Sequence, residues 1–194
     1  MKKAVENILY TADGEKLCGT PWDIYPRPRL VRDSFFCLNG EWELTATDGE
    51  KYKIRVPFPP ESALSQVCKR MGEKPHIIYK RVFSLPEKFV RERVILHFGA
   101  VDWQADVYVN GVLVGGHKGG YDPFSFDITD LLGKGRRHTL KLKVTDRTDK
   151  WFQPRGKQVS NPEGIWYTAV TGIWQTAWME PVPAAHIDTY YAVS

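Results

Sequence analysis

Short stretches in which apolar and polar residues alternate recur along this chain, and they constrain its fold more than any other feature. Tyr52, Ile54 and Val56 occupy alternate positions in one such stretch, and the same spacing recurs in 138–146. A period of two predicts a strand with one buried face. No stretch sustains the period of about 3.6 residues that marks an amphipathic helix. The pattern therefore predicts an all-β fold.

Turn residues divide the chain into many short strands. Strands are predicted at 38–44, 51–57, 77–85, 93–99, 105–110, 125–129, 138–146 and 172–180. Asn110-Gly111 lies between two apolar runs and predicts a hairpin, because a type I′ turn requires positive φ at both central residues. The Pro-rich segment 57–60 excludes a central strand there, and a short helix is expected after it, at 61–73. Such an arrangement predicts a jelly-roll β-sandwich of two antiparallel sheets.

The flanking and connecting segments set the expected domain organisation. Residues 1–33 are polar and rich in proline, and we interpret them as an extended arm packed on a sandwich domain at 34–183. Residues 184–194 are expected to leave this domain as a further strand. The segment 147–166 mixes aromatic residues, Gly and Pro with polar residues. A loop of that length in a compact domain is usually functional, and its aromatic content argues against disorder.

Charge, cysteine content and hydropathy exclude several classes of protein. The 27 basic and 23 acidic residues leave a net charge of +4 that is spread along the chain, unlike a nucleic-acid-binding face. The cysteines, Cys18, Cys37 and Cys68, are odd in number and irregularly spaced, which favours free thiols in a reducing compartment over disulfides or a zinc site. No apolar run approaches the ~20 residues of a membrane span, and the start lacks the pattern of a signal peptide. We therefore expect a cytoplasmic protein without membrane or nucleic-acid partners.

A complete active site is not recognisable in the sequence. It contains no Gly-rich phosphate loop before a helix, no His pair at metal-ligand spacing and no nucleophile elbow. Glycoside hydrolysis requires two carboxyl groups about 5–9 Å apart, which sequence alone cannot pair. No catalytic residue, metal ligand or cofactor is therefore predicted for this chain.

Two segments carry a combination of motifs that points to one family. Residues 94–129 contain Val-Asn-Gly, Gly-Gly-Tyr and Phe-Asp-Ile-Thr in order, and 172–180 read Gly-Ile-Trp-Gln-Thr-Ala-Trp-Met-Glu. Together they resemble the amino-terminal sugar-binding domain of glycoside hydrolase family 2, a jelly roll of the galactose-binding-domain type. The resemblance covers about residues 30–182. The Gly-Gly-Tyr form is closer to the β-glucuronidase branch than to β-galactosidases, which carry an acidic residue near Gly119.

The resemblance implies that this domain is one part of a retaining exo-glycosidase. In the family it packs against an immunoglobulin-like domain and a catalytic (β/α) barrel, toward which 184–194 would lead. The catalytic glutamates belong to the barrel, and one of them forms a covalent glycosyl intermediate. The chain by itself is therefore expected to be inactive, with a carbohydrate as its ligand.

Three segments are candidates for contact with sugar. In the family, the segment before the Gly-Ile-Trp-Gln strand leads toward the active-site mouth, which places the loop 147–167 first. Its fixed donors and stacking rings are Arg155, Lys157, Gln158, Trp166 and Tyr167. The second candidate is a loop at His117 and Lys118, and the third is Glu61 on the stiff loop 57–61. For each, the alternative is a structural role: packing on neighbouring domains, support of a turn, or positioning of the chain.

Other polar and aromatic residues are expected to be structural. Trp174 and Trp178 are four residues apart on one predicted strand, so we expect both on one face, in the core. Asp102 and Asp127 end strands and are expected to cap nearby backbone N–H groups. The pairs Gly115-Gly116 and Gly119-Gly120 are expected to turn the chain tightly around His117.

Two further functions remain open at this point. A stand-alone carbohydrate-binding module predicts millimolar or tighter affinity for sugar, about −4 kcal/mol or better, from this chain alone. A structural domain predicts no contact with sugar, and its exposed aromatics would serve docking.

Overall fold

Six strands form the larger sheet of the domain. The computed structural model describes residues 9–30, 32, 34–72, 75–87, 89, 92–133, 135 and 137–193. The strands of this sheet are β2 (Gly40–Thr45), β3 (Lys51–Val56), β4 (His76–Ser84), β7 (Gln104–Val109), β8 (Val112–Lys118) and β10 (Arg137–Thr145). Their order is β3-β2-β4-β10-β7-β8, and each neighbouring pair is antiparallel.

Four strands form the second sheet, and two short ladders complete the structure. The second sheet contains β1 (Phe36–Cys37), β5 (Arg93–Phe98), β9 (Phe124–Asp127) and β14 (Ala177–Val182), in the order β1-β14-β5-β9 and antiparallel throughout. The ladders join β6 (Val101–Asp102) to β13 (Gly172–Ile173) and, in parallel, β11 (Gln158–Val159) to β12 (Tyr167–Thr168). The predicted antiparallel β-sandwich is confirmed.

The core lies between the two sheets and explains the alternation in the sequence. Trp42 and Leu142 of the larger sheet and Leu96 and Met179 of the smaller one belong to one buried apolar cluster. The Trp42 indole N–H donates to the Leu38 carbonyl at 2.7 Å, so this large ring is buried without an unsatisfied donor. Every second residue of these strands removes apolar surface from water, which stabilises the sandwich.

The Asn110-Gly111 hairpin forms as predicted. Both residues have positive φ, 50° and 88°, as a type I′ turn requires. The Asn110 side chain also donates to the Leu131 carbonyl at 2.7 Å and accepts from the Thr139 amide at 2.9 Å. The turn is therefore fixed by both its backbone and its side chain.

We expect Gly111→Ala to lower the free energy of unfolding by about 1–2 kcal/mol, measured by urea denaturation. A methyl group at position 111 would meet no atom within 4 Å, so the loss reports only the cost of positive φ. Gly133→Ala is the matched control, because its methyl group also enters open space and its φ is not in the left-handed region. Equal stabilities of the two variants would contradict this account.

Two predicted elements are absent from the described residues. In place of a helix at 61–73, the chain makes one 3₁₀ turn, Ala63–Ser65, and only 61–72 are described. Gln66 ends that turn with φ 67°, and Cys68 at φ 50° prevents its continuation. The expected strand at 186–194 is wrong over the described residues 186–193, which pair with no strand.

The predicted pairing of Trp174 and Trp178 in the core is also wrong. The strand breaks at 174–176, between β13 and β14. Trp178 is buried, at 5% exposure, but it lies outside the cluster between the sheets, and its ring stacks on that of His97 on the outer face of the smaller sheet, with 4.8 Å between the ring centroids. The Trp174 indole N–H donates to the Gly120 carbonyl at 2.7 Å. Sequence spacing alone did not reveal this interruption.

A segment before the sandwich lies on that outer face. It contains one helical turn, α1 (Ala12–Glu15), and its described residues, 9–30, 32, 34 and 35, form no strand. The Tyr25 hydroxyl donates to the Glu180 carboxylate at 2.7 Å, and the Arg27 and Arg32 guanidinium groups lie 3.3 Å and 3.1 Å from it. Arg32 also donates to the Ile187 carbonyl at 2.7 Å. One buried carboxylate therefore ties together the segments that precede and follow the sandwich.

Candidate functional site

A long loop closes one end of the sandwich. We call residues 147–171, between β10 and β13, the rim loop. Its only regular structure among the described residues is the ladder in which Gln158 pairs with Tyr167 and Val159 with Thr168. A loop with so little internal structure needs other contacts to hold its shape.

The start of the rim loop is held by Asp146, the residue that follows β10. Its buried carboxylate accepts the Thr148 amide at 2.7 Å and the Gln153 side-chain amide at 2.7 Å. The first contact is an Asx turn, in which an Asp side chain accepts from a backbone N–H two residues later. Our sequence reasoning missed Asp146, although a strand followed by Asp-Arg-Thr carries this signal.

The middle and the end of the loop meet at Gln158. Its side-chain N–H donates to the Asp102 carboxyl group at 3.1 Å, and its side-chain oxygen accepts the Val170 amide at 2.7 Å. Gln158 thus joins the outgoing branch of the loop to β6 and to the returning branch. Gln158 was predicted to bind sugar, but both its amide N–H and its amide oxygen already form hydrogen bonds within the protein.

Glu61 holds the last residue of the rim loop. Its carboxyl group accepts the Thr171 amide at 3.0 Å, which brings the Pro-rich loop against the returning branch. A cavity of about 130 Å³ lies at this junction. Polar side chains on its wall are Glu61, Arg70, Thr148, Ser160, Asn161, Thr168 and Thr171.

The carboxyl groups that hold the loop are strongly perturbed. Burial raises the pKa of Glu61 to about 8 and that of Asp102 to about 7, and the charge of Asp146 contributes to both shifts. Burial also raises the pKa of Asp146, although hydrogen bonds from Thr148, Gln153 and Thr171 oppose this. Such perturbed groups concentrate at functional sites, although structural networks produce them too.

Most of the remaining predicted residues of the loop are exposed. The Trp166 side chain is 41% exposed and that of Tyr167 65% exposed. Lys157 is exposed, and its carbonyl accepts the Tyr167 amide at 2.8 Å. Arg155 is half-buried. The rim loop therefore presents two aromatic rings and a cation on a backbone that is anchored at several points.

His117 is placed differently from the prediction. It lies in β8 and not in a loop, and its ring stacks on the Phe124 ring with 4.3 Å between the ring centroids. Gly115 and Gly116 belong to the same strand, so they do not turn the chain around His117. A methyl group on Gly115 would lie 2.5 Å from the Phe126 ring, which shows that this glycine permits close packing.

The two aspartates expected to be caps differ from each other. Asp127 accepts the Thr129 amide at 3.0 Å, which confirms its capping role. The expectation for Asp102 is wrong, because its described hydrogen bond comes from the Gln158 side chain.

Metal-binding clusters and membrane-spanning helices are both absent from the described residues. No group of three or more His, Cys, Asp or Glu side chains there is placed to hold a metal ion. Across the same residues, no helix has the length and apolar character required to cross a membrane.

Relatives of the chain include several glycosidases. A β-galactosidase of Thermoanaerobacter pseudethanolicus is 36% identical over 117 residues, which are 59% of this chain and 15% of that protein. A β-glucuronidase of Paenibacillus borealis is 27% identical over 159 residues, 73% of this chain and 26% of that protein. The chain thus spans about a quarter or less of the length of these relatives.

Solved structures share the fold. A β-D-mannosidase of Dictyoglomus thermophilum aligns with a TM-score of 0.62 at 20% identity, over 76% of this chain and 22% of that one. A β-glucuronidase of Ruminococcus gnavus aligns with a TM-score of 0.61 at 18% identity, over 83% of this chain and 31% of that one.

A family model supports the resemblance found in the sequence. The model for the sugar-binding domain of family 2 glycosyl hydrolases matches residues 31–180. This range includes the whole rim loop and both sheets except the last two residues of β14. Because the match extends over well over half of the chain, this protein belongs to the family of sugar-binding domains found in family 2 glycosyl hydrolases.

Proposed function

We propose that this domain shapes the sugar subsite of a retaining exo-glycosidase through its rim loop, at the mouth of a catalytic barrel in the whole protein. The observation that carries the proposal is an anchored loop with exposed aromatic rings. Trp166 and Tyr167 are exposed, yet their backbone is held by the ladder to Gln158 and Val159. A rigid ring loses little entropy on binding, which favours a stacking surface over a mobile loop.

The predicted residues divide into two roles. Trp166, Tyr167, Lys157 and Arg155 are proposed to contact the sugar, the rings by stacking and the cations by hydrogen bonds to hydroxyl or carboxylate groups. Gln158 and Glu61 are proposed to support the loop, because each already hydrogen-bonds its backbone, at Val170 and Thr171. Contact of His117 with sugar stays a prediction.

The substrate and the partners are inferred from the relatives. Relatives are named β-galactosidase and β-glucuronidase, so we propose a β-glycoside as the substrate of the whole protein. The immunoglobulin-like and barrel domains of the same protein are the proposed partners. Trp151 and Phe152, 52% and 94% exposed on the rim loop, are suited to contact with them. The free thiols of Cys18, Cys37 and Cys68 support a cytoplasmic location.

In the full-length enzyme, we expect Trp166→Ala to raise KM about 10-fold, a loss of about 1.4 kcal/mol that one stacked ring accounts for. Steady-state kinetics with aryl β-galactoside and β-glucuronide substrates measure this change. Ile165→Ala is the matched control, because Ile165 is an exposed apolar residue on the same loop that has no ring to stack, and its KM should stay within two-fold of wild type. Unchanged KM values in both Trp166→Ala and Tyr167→Ala would refute the contact.

A second candidate is a stand-alone carbohydrate-binding module, which one cleft favours. This cleft, of about 680 Å³, is lined by Trp22, Tyr121, Trp174 and Trp178, among others. Its volume is within the range of small-molecule sites. Ligand-observed NMR on this chain with galactose, glucuronate, mannose and glucose separates the candidates. A saturable signal lost in Trp174→Ala supports the module, whereas no signal with any sugar removes it.

A further inference from the structure

The contact between Asp102 and Gln158 is one of the points at which the rim loop is held on the sandwich, besides Asp146 at its start and Glu61 at its end. Asp102 belongs to β6, which pairs with β13 immediately after the loop. Gln158 belongs to the outgoing branch, and it also accepts the amide of Val170 on the returning branch. Loss of the contact would release the outgoing branch from β6, together with the Gln158 side chain that holds the Val170 amide.

The Asp102 carboxyl group is poorly suited to carry a charge in this position. The residue is 3% exposed, and its Oδ1 atom is buried without a hydrogen-bond partner in the described part of the chain. Gly120 packs directly against it, since a methyl group there would lie 2.5 Å from Oδ1. A carboxylate that is neither hydrated nor paired is strongly disfavoured relative to its neutral form.

The hydrogen bond from Gln158 favours the charged form of Asp102, but it compensates the cost of burial only in part. Asp146 raises the pKa of Asp102 and of Glu61 by its own charge, and Glu61 does the same to Tyr79. Among the described residues, no Lys, Arg or His forms an ion pair with Asp102, Asp146 or Glu61. The nearest polar neighbours of the contact are neutral.

Those neighbours come from each element packed against the contact. The Tyr121 hydroxyl lies 3.5 Å from the Gln158 amide nitrogen, and the β13 residues opposite β6 are Gly172 and Ile173. Arg70 is the cation on the wall of the adjacent cavity at Glu61. Ionisation of Asp102 therefore adds a second negative charge beside Asp146 without a cation in contact.

We propose that Asp102 and Gln158 form a proton-dependent latch, which holds the outgoing branch of the rim loop on the sandwich, and the Gln158 side chain against the Val170 amide, while Asp102 is protonated. Asp102 is then a positioning residue, because it acts on the sugar subsite only through Gln158. The link to sugar binding rests on the proposed function, whereas the latch itself is a property of this chain.

The direction of the pH dependence follows from the burial of Asp102. Its pKa is about 7 with the loop closed and returns toward the ordinary carboxyl value when water reaches it. Closure therefore binds a proton, and the closed state is favoured at pH values below the ordinary carboxyl pKa. The free-energy advantage of the closed state is lost as the pH rises toward 7, and it does not change further above pH 7.

Amide hydrogen exchange at Val170 tests the latch directly, because this N–H donates to Gln158. Protection, corrected for the intrinsic exchange rate, should fall at least about 10-fold between pH 5 and pH 8 in the wild-type chain. Asp102→Asn should retain protection at pH 8 with little pH dependence, since a neutral amide oxygen still accepts from Gln158. In Gln158→Ala, protection of the Val170 amide should fall about 10-fold or more at pH 5. Gln158 is a half-buried loop residue, so this second variant tests the latch even if Asp102→Asn does not fold.

Asp149→Asn is the matched control within the same loop. Asp149 accepts the Ser160 amide at 3.2 Å, and its pKa is lowered, chiefly by the Ser160 hydroxyl, so it stays ionised across this range. The Asp149→Asn substitution should leave the pH dependence of protection at the Val170 amide unchanged. Wild-type protection independent of pH, or an unchanged pH profile in Asp102→Asn, would overturn the latch. Neither result bears on the KM change expected for Trp166→Ala, so the two proposals fail separately.

Discussion

Replacement of Glu180 by Ala should lower the free energy of unfolding by about 3–5 kcal/mol, the usual cost of removing one partner from a buried ion pair. The Glu180 side chain is 1% exposed and neutralises Arg27 and Arg32, which are themselves largely buried, at 22% and 14% exposure. The variant leaves these guanidinium groups and the Tyr25 hydroxyl without their acceptor. Urea denaturation at pH 7 measures the loss.

An exposed ion pair in the larger sheet provides the control. Glu41 and Lys53 lie 2.8 Å apart, but both side chains are more than half exposed. Glu41→Ala should therefore cost about 1 kcal/mol or less, because solvent screens the pair. Similar losses in the Glu180 and Glu41 variants would show that burial of Glu180 contributes nothing to the stability of the sandwich.

The same carboxylate predicts a pH dependence. Burial opposes its ionisation, but hydrogen bonds from His97 and Tyr25 and the charge of Arg27 outweigh this, and the pKa of Glu180 falls to about 2. A lowered folded-state pKa stabilises the fold above the ordinary value of 4.5, and this stability is lost as the pH falls toward 2. Glu180→Gln should therefore reduce the difference in stability between pH 7 and pH 2 by about 3 kcal/mol. An identical acid profile in the two proteins would contradict the assignment.

Replacement of Gly172 by Ala is the second large effect that we expect, with a loss of about 2–5 kcal/mol in urea denaturation. Gly172 has φ 86°, which costs a residue with a Cβ about 1–2 kcal/mol. Its added methyl group would lie 2.3 Å from the hydroxyl oxygen of Tyr79, a completely buried residue on β4. Overpacking of this kind adds about 1–3 kcal/mol.

A double-mutant cycle separates the two causes. Tyr79→Phe removes the oxygen nearest the added methyl group, so Gly172→Ala should cost about 1 kcal/mol less in that background. The residual loss would then report the backbone conformation, together with the remaining contacts to the ring. If the cost is the same in both backgrounds, the clash with the hydroxyl is not its cause.

The elements that were predicted correctly from the sequence are those that depend on a local pattern of residues. The strand that contains Leu140, Leu142 and Val144 and the hairpin at Asn110-Gly111 formed as expected, because period-two alternation and turn chemistry act over a few residues. The helix at 61–73 was wrong, since no local pattern revealed the left-handed residues Gln66 and Cys68. Trp174 and Trp178 were misplaced because two residues keep the same sequence separation whether or not the strand breaks between them.

The sequence by itself determined the sandwich and the family of this chain, since alternation selects the buried face and the motif order is specific. Only the tertiary structure decided how the rim loop is held. Asp102, Asp146 and Glu61 are far apart in sequence, and the packing of the two sheets brings them to one end of the sandwich. Their raised pKa values come from that shared burial, because desolvation depends on the surrounding atoms and not on neighbours along the chain.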